Sequence, residues 1–146
     1  NLMIPKLEAG DRDVALVELC EKLQETGFVD DASVLTEAAL RREAIASTGV
    51  DHGLAFPHVR GVEGGGLTMA LGLAPKGIKF GGPGRSLTRI IFFVVIPTAA
   101  SAFYLRLLSG LTQTFQEKER REKLLEAKTP DQLWKTLLRL TRTTVR

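Results

Sequence analysis

Among its 146 residues the chain has one cysteine, one tryptophan, one tyrosine and two histidines, and these scarcities remove whole classes of answer. A lone thiol, Cys20, forms no internal disulfide and supplies no cysteine metal site, so a disulfide scaffold and a zinc ribbon are both excluded. Its place in a helical stripe suits a small buried residue. Long apolar runs are also missing: the longest, Ile90 to Ile96, is far short of the ~20 residues that span a bilayer. No signal-peptide pattern opens the chain, which makes a cytoplasmic location the default expectation. A start at Asn1 instead of methionine suggests processing, or a cut from a longer polypeptide. The glycines between Gly61 and Gly66 lack P-loop spacing and no Lys-Ser/Thr follows them, so a linker is expected there and not a phosphate cradle.

What is present fits one ordinary globular unit. With 44% hydrophobic and 25% charged residues, 1–146 is expected to form a single domain around one sizeable core, with residues 1–10 and 141–146 frayed. Net charge is only +3, but acids dominate the first forty residues and bases dominate Lys118 to Arg146. Glu119, Glu122 and Glu126 interleave with those bases as on a solvated helix, and no nucleic-acid motif accompanies them, so no nucleic-acid partner is expected.

Periodicity places the elements. Asp11 to Glu25 forms a helix capped by Asp11, with Leu16, Leu19, Cys20 and Leu23 on one face and Gly27 as its stop. Asp30 or Asp31 caps a second helix running to about Glu43, with Val34, Leu35, Ala38 and Ala39 as its apolar side and Arg42 at its end. Leu67 to Ala74 alternates as a half-buried strand does, Pro75 and Gly77 turn the chain, and Gly81-Gly82-Pro83-Gly84 makes a second turn. Leu87 to Ile96 forms the next strand, and because the seven residues Ile90 to Ile96 are all apolar it is expected in the interior, covered on both faces. Thr98 or Ser101 caps a helix carrying Tyr104, Leu107, Leu108, Leu111 and Phe115. A charged helix follows from about Glu117 to Ala127, with Glu117 and Glu119 each four residues before a cation, Arg121 and Lys123. Thr129-Pro130-Asp131-Gln132 then opens a last helix docked by Leu133, Trp134, Leu137 and Leu138. The expected fold class is α/β, a single mixed β-sheet with helices on both faces.

Chemistry concentrates between Leu40 and Arg60. Pro57 fixes its own backbone angle and biases Phe56 toward an extended conformation, so His58 leaves a strand end in a set direction. A neutral imidazole nitrogen is a nucleophile at cellular pH, and phosphate is a fitting electrophile: Ser47 and Thr48 bring hydroxyls, Gly49 and Gly53 backbone amides, Arg42 and Arg60 guanidiniums. The plainer alternatives stay open on spacing alone: a structural histidine, a common Ser-Thr-Gly turn, and an arginine that merely complements a helix end. His52 and Asp51 do not complete a convincing ligand set with His58, so no metal site is expected.

The run Arg42-Glu43, Ser47-Thr48-Gly49 and Gly53-Leu54-Ala55-Phe56-Pro57-His58 resembles the signature of the enzyme IIA domains of the bacterial sugar phosphotransferase system, in the fructose/mannitol and nitrogen-regulatory (PtsN-like) branch. The resemblance implies that His58 accepts a phosphoryl group from a phosphohistidine carrier protein of HPr or NPr type, and that Arg42 binds the phosphate. It implies the same α/β architecture; because phosphoryl transfer is mainly positioning and charge stabilisation, no metal or organic cofactor is expected. In that family a second histidine, beside the phosphorylated one, opens the helix after the long strand; Tyr104 stands at the matching position here. A tyrosine hydroxyl can donate a hydrogen bond to a phosphoryl oxygen or to an imidazole nitrogen, but brings no positive charge at neutral pH.

The leading expectation is a phosphocarrier in which Arg42, Ser47, Thr48 and Tyr104 assist His58, of the nitrogen-regulatory type. Sugar uptake, with phosphate passed to a IIB domain, is the second. The third is an unphosphorylated interaction module that regulates a transporter. A hydrolase using His58 as general base ranks last, because no nucleophile or carboxylate dyad accompanies it.

Overall fold

The computed structural model describes residues 2–62, 66–81 and 87–144. In chain order the elements are β1 (Met3–Ile4), α1 (Arg12–Glu25), α2 (Ala32–Ile45), β2 (Gly49–Val50), β3 (Leu54–Ala55), β4 (His58–Val62), β5 (Thr68–Ile78), β6 (Thr88–Pro97), α3 (Ser101–Thr114), α4 (Lys118–Leu125) and α5 (Pro130–Thr141). Six strands form one mixed sheet in the order β1-β5-β6-β3-β2, with β4 also on β6. The long apolar β6 is its axis: β5 pairs antiparallel along one edge, and β3 and β4 pair parallel, one after the other, along the second.

Because successive strand residues point to opposite faces, β6 feeds two cores. Ile91, Phe93 and Val95 join Leu16, Leu19 and Leu23 of α1 and Leu35 and Ala39 of α2. Ile90 and Phe92 join Leu111 of α3, Leu124 of α4, and Leu133 and Leu137 of α5. The result is one mixed sheet with helices on both faces, the α/β class expected.

Local signals hold where they are strong. Asp11 caps α1 by accepting from Val14 N at 2.9 Å, Asp31 caps α2 through Ser33 N and Val34 N, and Thr129 caps α5 by accepting from Gln132 N at 3.1 Å. Gly27, at φ 85°, stops α1 in the left-handed region glycine favours.

Several expectations are corrected. The face of α2 that packs toward α1 and the sheet is Ala32, Leu35, Thr36, Ala39 and Glu43, while Val34 is 61% exposed. Pro75 and Gly77 do not end β5; they lie inside it, where its register against β6 breaks between Leu73 and Ile78. Nor is β5 half-buried. Its small residues Ala70 and Ala74 pack beneath α1 and α2, and a Cβ on Gly72 would come 2.9 Å from Leu7 Cδ1, so smallness here admits a neighbour. Leu7 belongs to a segment expected to fray. Instead, Met3 and Ile4 pair with Leu71 and Gly72, Leu7 N donates to Leu73 O at 2.8 Å, and Leu7 and Ala9 are buried.

At the other end, Thr141 lies within α5 and its hydroxyl donates to Leu137 O at 2.7 Å, while residues 145–146 are outside those described. Neither Thr98 nor Ser101 caps α3, because a 3-10 turn at Thr98–Ala100 leads into it and Ser101 Oγ donates to Thr98 O. Glu117 pairs with Arg120 instead of Arg121, whose guanidinium donates to Phe115 O and Gln116 O. Trp134 and Leu138 stay about half exposed while Leu133 and Leu137 dock α5. The turn expected at Gly82, Pro83 and Gly84, and Gly64 and Gly65 of the linker, fall outside the described residues; Gly61 belongs to β4.

Candidate functional site

The site grows from the C-terminal end of α2. The last four carbonyls of a helix lack intrahelical partners, and Arg42 Nη1 donates to Ala46 O at 2.8 Å just beyond the last turn. Next to it Glu43, only 4% exposed, continues the buried stripe of Leu35 and Ala39 at four-residue spacing. A buried carboxylate needs donors, and both come from Thr48: its backbone N donates at 3.1 Å and its hydroxyl donates to the other carboxylate oxygen. This clamp fixes the exit from α2. Ser47 closes the same turn, its hydroxyl donating to Phe80 O at 3.1 Å and accepting from Gly49 N at 3.0 Å.

From there β2 and β3 form a tight antiparallel pair, Gly49 opposite Ala55 and Val50 opposite Leu54, turning through Asp51–Gly53. Gly53 has φ 73°, and a Cβ there would stand 3.0 Å from the backbone oxygen of Leu87. His52, exposed and at φ 68°, occupies the turn. No three His, Cys, Asp or Glu side chains gather to hold a metal ion among the described residues.

Pro57 interrupts the ladder between β3 and β4, having no N–H to give, but its carbonyl accepts from Val94 N at 3.0 Å. His58 then starts β4 opposite Val94, on the face where Val94 and Ile96 pack against Tyr104. His58 is buried, 8% exposed. Its Nδ1 lies 3.0 Å from Phe56 O. A carbonyl can only accept, so Nδ1 carries the proton and Nε2 is left with its lone pair.

Tyr104, from α3, lies with its ring centroid 5.5 Å from that of His58 and its hydroxyl oxygen 3.5 Å from the same Nδ1. With that nitrogen already a donor, the tyrosine cannot donate to it as one expected role required; its oxygen is placed to share the proton. Arg60 follows two residues after His58, its guanidinium carbon 5.1 Å from the centroid of the Tyr104 ring.

Burial lowers the pKa of His58 most, since it penalises the charged ring; the hydrogen bond to Phe56 O opposes this, Arg42 and Arg60 lower it further, and Glu43 raises it. Burial raises the pKa of Tyr104, against which Arg60 and Arg42 both act. The structure thus brings together His58, Tyr104 and Arg60 in contact, with Arg42 near enough for its charge to be felt at both rings. The hydroxyls of Ser47 and Thr48 are instead engaged in bracing the turn. Glu43 and Arg60 are the residues that site reasoning from sequence undervalued. Their signals were an acid continuing an apolar helical stripe, and a cation two positions along the strand from the histidine.

Residues 1–139 match the family model described as "Phosphoenolpyruvate-dependent sugar phosphotransferase system, EIIA 2". The chain is 31% identical over 116 residues to the fructose-specific EIIA component of Haloferax volcanii, covering 80% of this chain and 75% of that one. It is 26% identical over 125 residues to the fructose-specific EIIABC component of Bacillus subtilis, where 86% of this chain spans only 20% of the relative. Among solved structures, nitrogen regulatory protein IIA-Ntr from Neisseria meningitidis superposes with a TM-score of 0.82 at 25% identity, over 93% of this chain and 92% of that one. The IIA mannitol enzyme of Escherichia coli, solved in complex with phosphorylated IIB, gives 0.73 at 17% identity, over 97% of this chain and 94% of the matched chain, a likeness of fold alone.

Proposed function

The chain belongs to the EIIA type 2 family of the phosphoenolpyruvate-dependent sugar phosphotransferase system, whose members take part in histidine phosphotransfer, and on that footing we propose that Nε2 of His58 is its phosphoryl acceptor. The observation that carries the reading is the hydrogen bond from Nδ1 to Phe56 O, which fixes the tautomer and leaves Nε2 nucleophilic. The Nε2 lone pair forms the new N–P bond as the P–N bond of a phosphohistidine carrier, of HPr or NPr type, breaks. The electron pair of the broken bond stays on the donor nitrogen. The acceptor ring then bears a positive charge between two nitrogens, and the Phe56 carbonyl stabilises it at Nδ1 while guanidiniums face the phosphoryl oxygens.

Arg42 supports this as the phosphate-stabilising cation whose charge reaches the ring. The Tyr104 hydroxyl, 3.5 Å from Nδ1 against 3.0 Å for the Phe56 carbonyl, is at most a weak second acceptor for that proton. Ser47 and Thr48 serve through the turn they brace, and a hydroxyl contact to phosphate from either requires it to leave its present partner. Phosphoryl transfer is chiefly positioning and charge stabilisation, so the scheme invokes no cofactor.

For the onward step, identity to two fructose-specific relatives supports transfer to the IIB component of a sugar transporter. The fold likeness to IIA-Ntr supports the nitrogen-regulatory alternative, in which phosphorylation selects the bound protein. The fold is common to both branches, so the sequence relatives weigh more. No helix among the described residues is long and apolar enough to cross a membrane.

Incubation with phosphoenolpyruvate, enzyme I and a carrier protein is expected to place an acid-labile phosphate on the wild type and none on His58→Ala. A phosphate that survives the substitution, or none with any of several carriers, overturns the reading. Partner capture that is equal for wild type and His58→Ala, with no phosphorylation, would instead support the unphosphorylated interaction module.

A further inference from the structure

Of the polar groups that the sequence offers His58 for holding phosphate, most are already engaged. The Ser47 hydroxyl serves Phe80 and Gly49, the Thr48 hydroxyl serves Glu43, and one arm of Arg42 is held by Ala46 O. Arg60 differs. It is exposed, and among the described residues its guanidinium has no hydrogen bond or ion pair; its contact is the face of Tyr104.

Alternate residues of a strand leave it on the same face, so Arg60 and His58 emerge side by side from β4, and the buried ring of Tyr104 lies against both. A cation over an aromatic face is held by the ring's quadrupole, which restrains the guanidinium while leaving its N–H fork unoccupied. Such a fork matches the oxygens of a doubly charged phosphoryl group. Arg60 and Arg42 both act on the titration of His58 and of Tyr104, so the charge of each is felt at these rings, and of the two it is Arg60 that lies against Tyr104.

Resting on His58 as the acceptor, we propose that Arg60 is the cationic arm that grips the phosphoryl group on His58, and that Tyr104 is the positioning residue whose ring seats Arg60 for that purpose. Arg42, anchored to the helix end, supplies a fixed charge; Arg60 supplies the free fork. For seating Arg60 it is the tyrosine ring, and not its hydroxyl, that acts.

The test is the equilibrium of phosphoryl exchange between a phosphorylated carrier protein and this chain, measured for wild type, Arg60→Gln, Arg60→Lys, Tyr104→Phe, Tyr104→Leu and the double variant Arg60→Gln/Tyr104→Leu. Losing a charge-assisted contact is expected to shift the equilibrium of Arg60→Gln toward the carrier by about 10- to 100-fold, with Arg60→Lys between it and wild type. Tyr104→Phe should stay near wild type. Tyr104→Leu should lose nearly as much as Arg60→Gln, and the double variant no more than Arg60→Gln alone.

An unshifted Arg60→Gln on a wild type that does take phosphate overturns this proposal alone, whereas a wild type that takes none overturns the acceptor reading with it. Equal losses in Tyr104→Phe and Tyr104→Leu, or additive losses in the double variant, overturn the positioning role. Arg60 is exposed, so its variants and Tyr104→Phe decide the matter even should Tyr104→Leu fail to fold.

Discussion

Charge and burial around one imidazole govern the chemistry of the individual side chains. An ordinary histidine titrates near pH 6.5, and burial with two nearby guanidiniums holds His58 below that value. The unfolded chain therefore binds its proton first as pH falls, and between the two pKa values stability must decline with falling pH. Urea unfolding is expected to show a midpoint that drops as pH goes below about 6.5, a drop flattened in His58→Gln, while the His58 resonance titrates below its unfolded counterpart. A His58 pKa at or above that of the unfolded chain would contradict this. Glu43 offers a second test. Removing its carboxylate in Glu43→Ala leaves both Thr48 donors unpartnered and is expected to cost about 1.5 to 3 kcal/mol in urea unfolding; a loss under about 0.5 kcal/mol, ordinary for a surface site, would show that the clamp contributes nothing. His58 was legible in the sequence because proline and the residues around it form a local pattern. Which nitrogen carries the proton was not, since that depends on how the Phe56 carbonyl turns back toward the ring.

Among the elements, what could be read in advance was what local chemistry decides. Asp31 and Thr129 cap their helices because a short acceptor side chain satisfies nearby backbone N–H groups without help from elsewhere. The faces of α2 and β5 were read less well, because they are set by distant partners: Leu35 and Ala39 pack toward α1 and the sheet, which leaves Val34 outward, and Gly72 is small because Leu7 packs on it. Pro75 and Gly77 carry the usual turn signals, yet a register break absorbs them within the strand. Gly53 is where an element and the site meet. At φ 73° and with the Leu87 backbone oxygen so near, Gly53→Ala is expected to cost about 1–2 kcal/mol in thermal or urea unfolding and to slow phosphorylation by displacing β3, which leads to His58. Unchanged stability and unchanged phosphorylation would show that the turn is indifferent to its glycine.

For the whole molecule, the alternation of β6 between two cores explains why a mixed sheet covered on both faces could be expected from sequence: a continuous run of branched and aromatic residues has to be covered twice. The convergence of α2, β4 and α3 on one ring is different in kind. Sixteen residues separate Arg42 from His58 and forty-six separate His58 from Tyr104, so no periodicity links them, and only the resemblance in sequence or the structure itself does. Glu43 and Arg60 fell between these cases, each leaving a local trace whose meaning needed the fold. The central claim is that this convergence presents Nε2, with the proton held on Nδ1 by Phe56 O. Nitrogen-15 and phosphorus NMR of the carrier-phosphorylated protein tests it most directly: the phosphoryl group is expected on Nε2 of His58, and a phosphoryl group on Nδ1, or on any other residue, would contradict it.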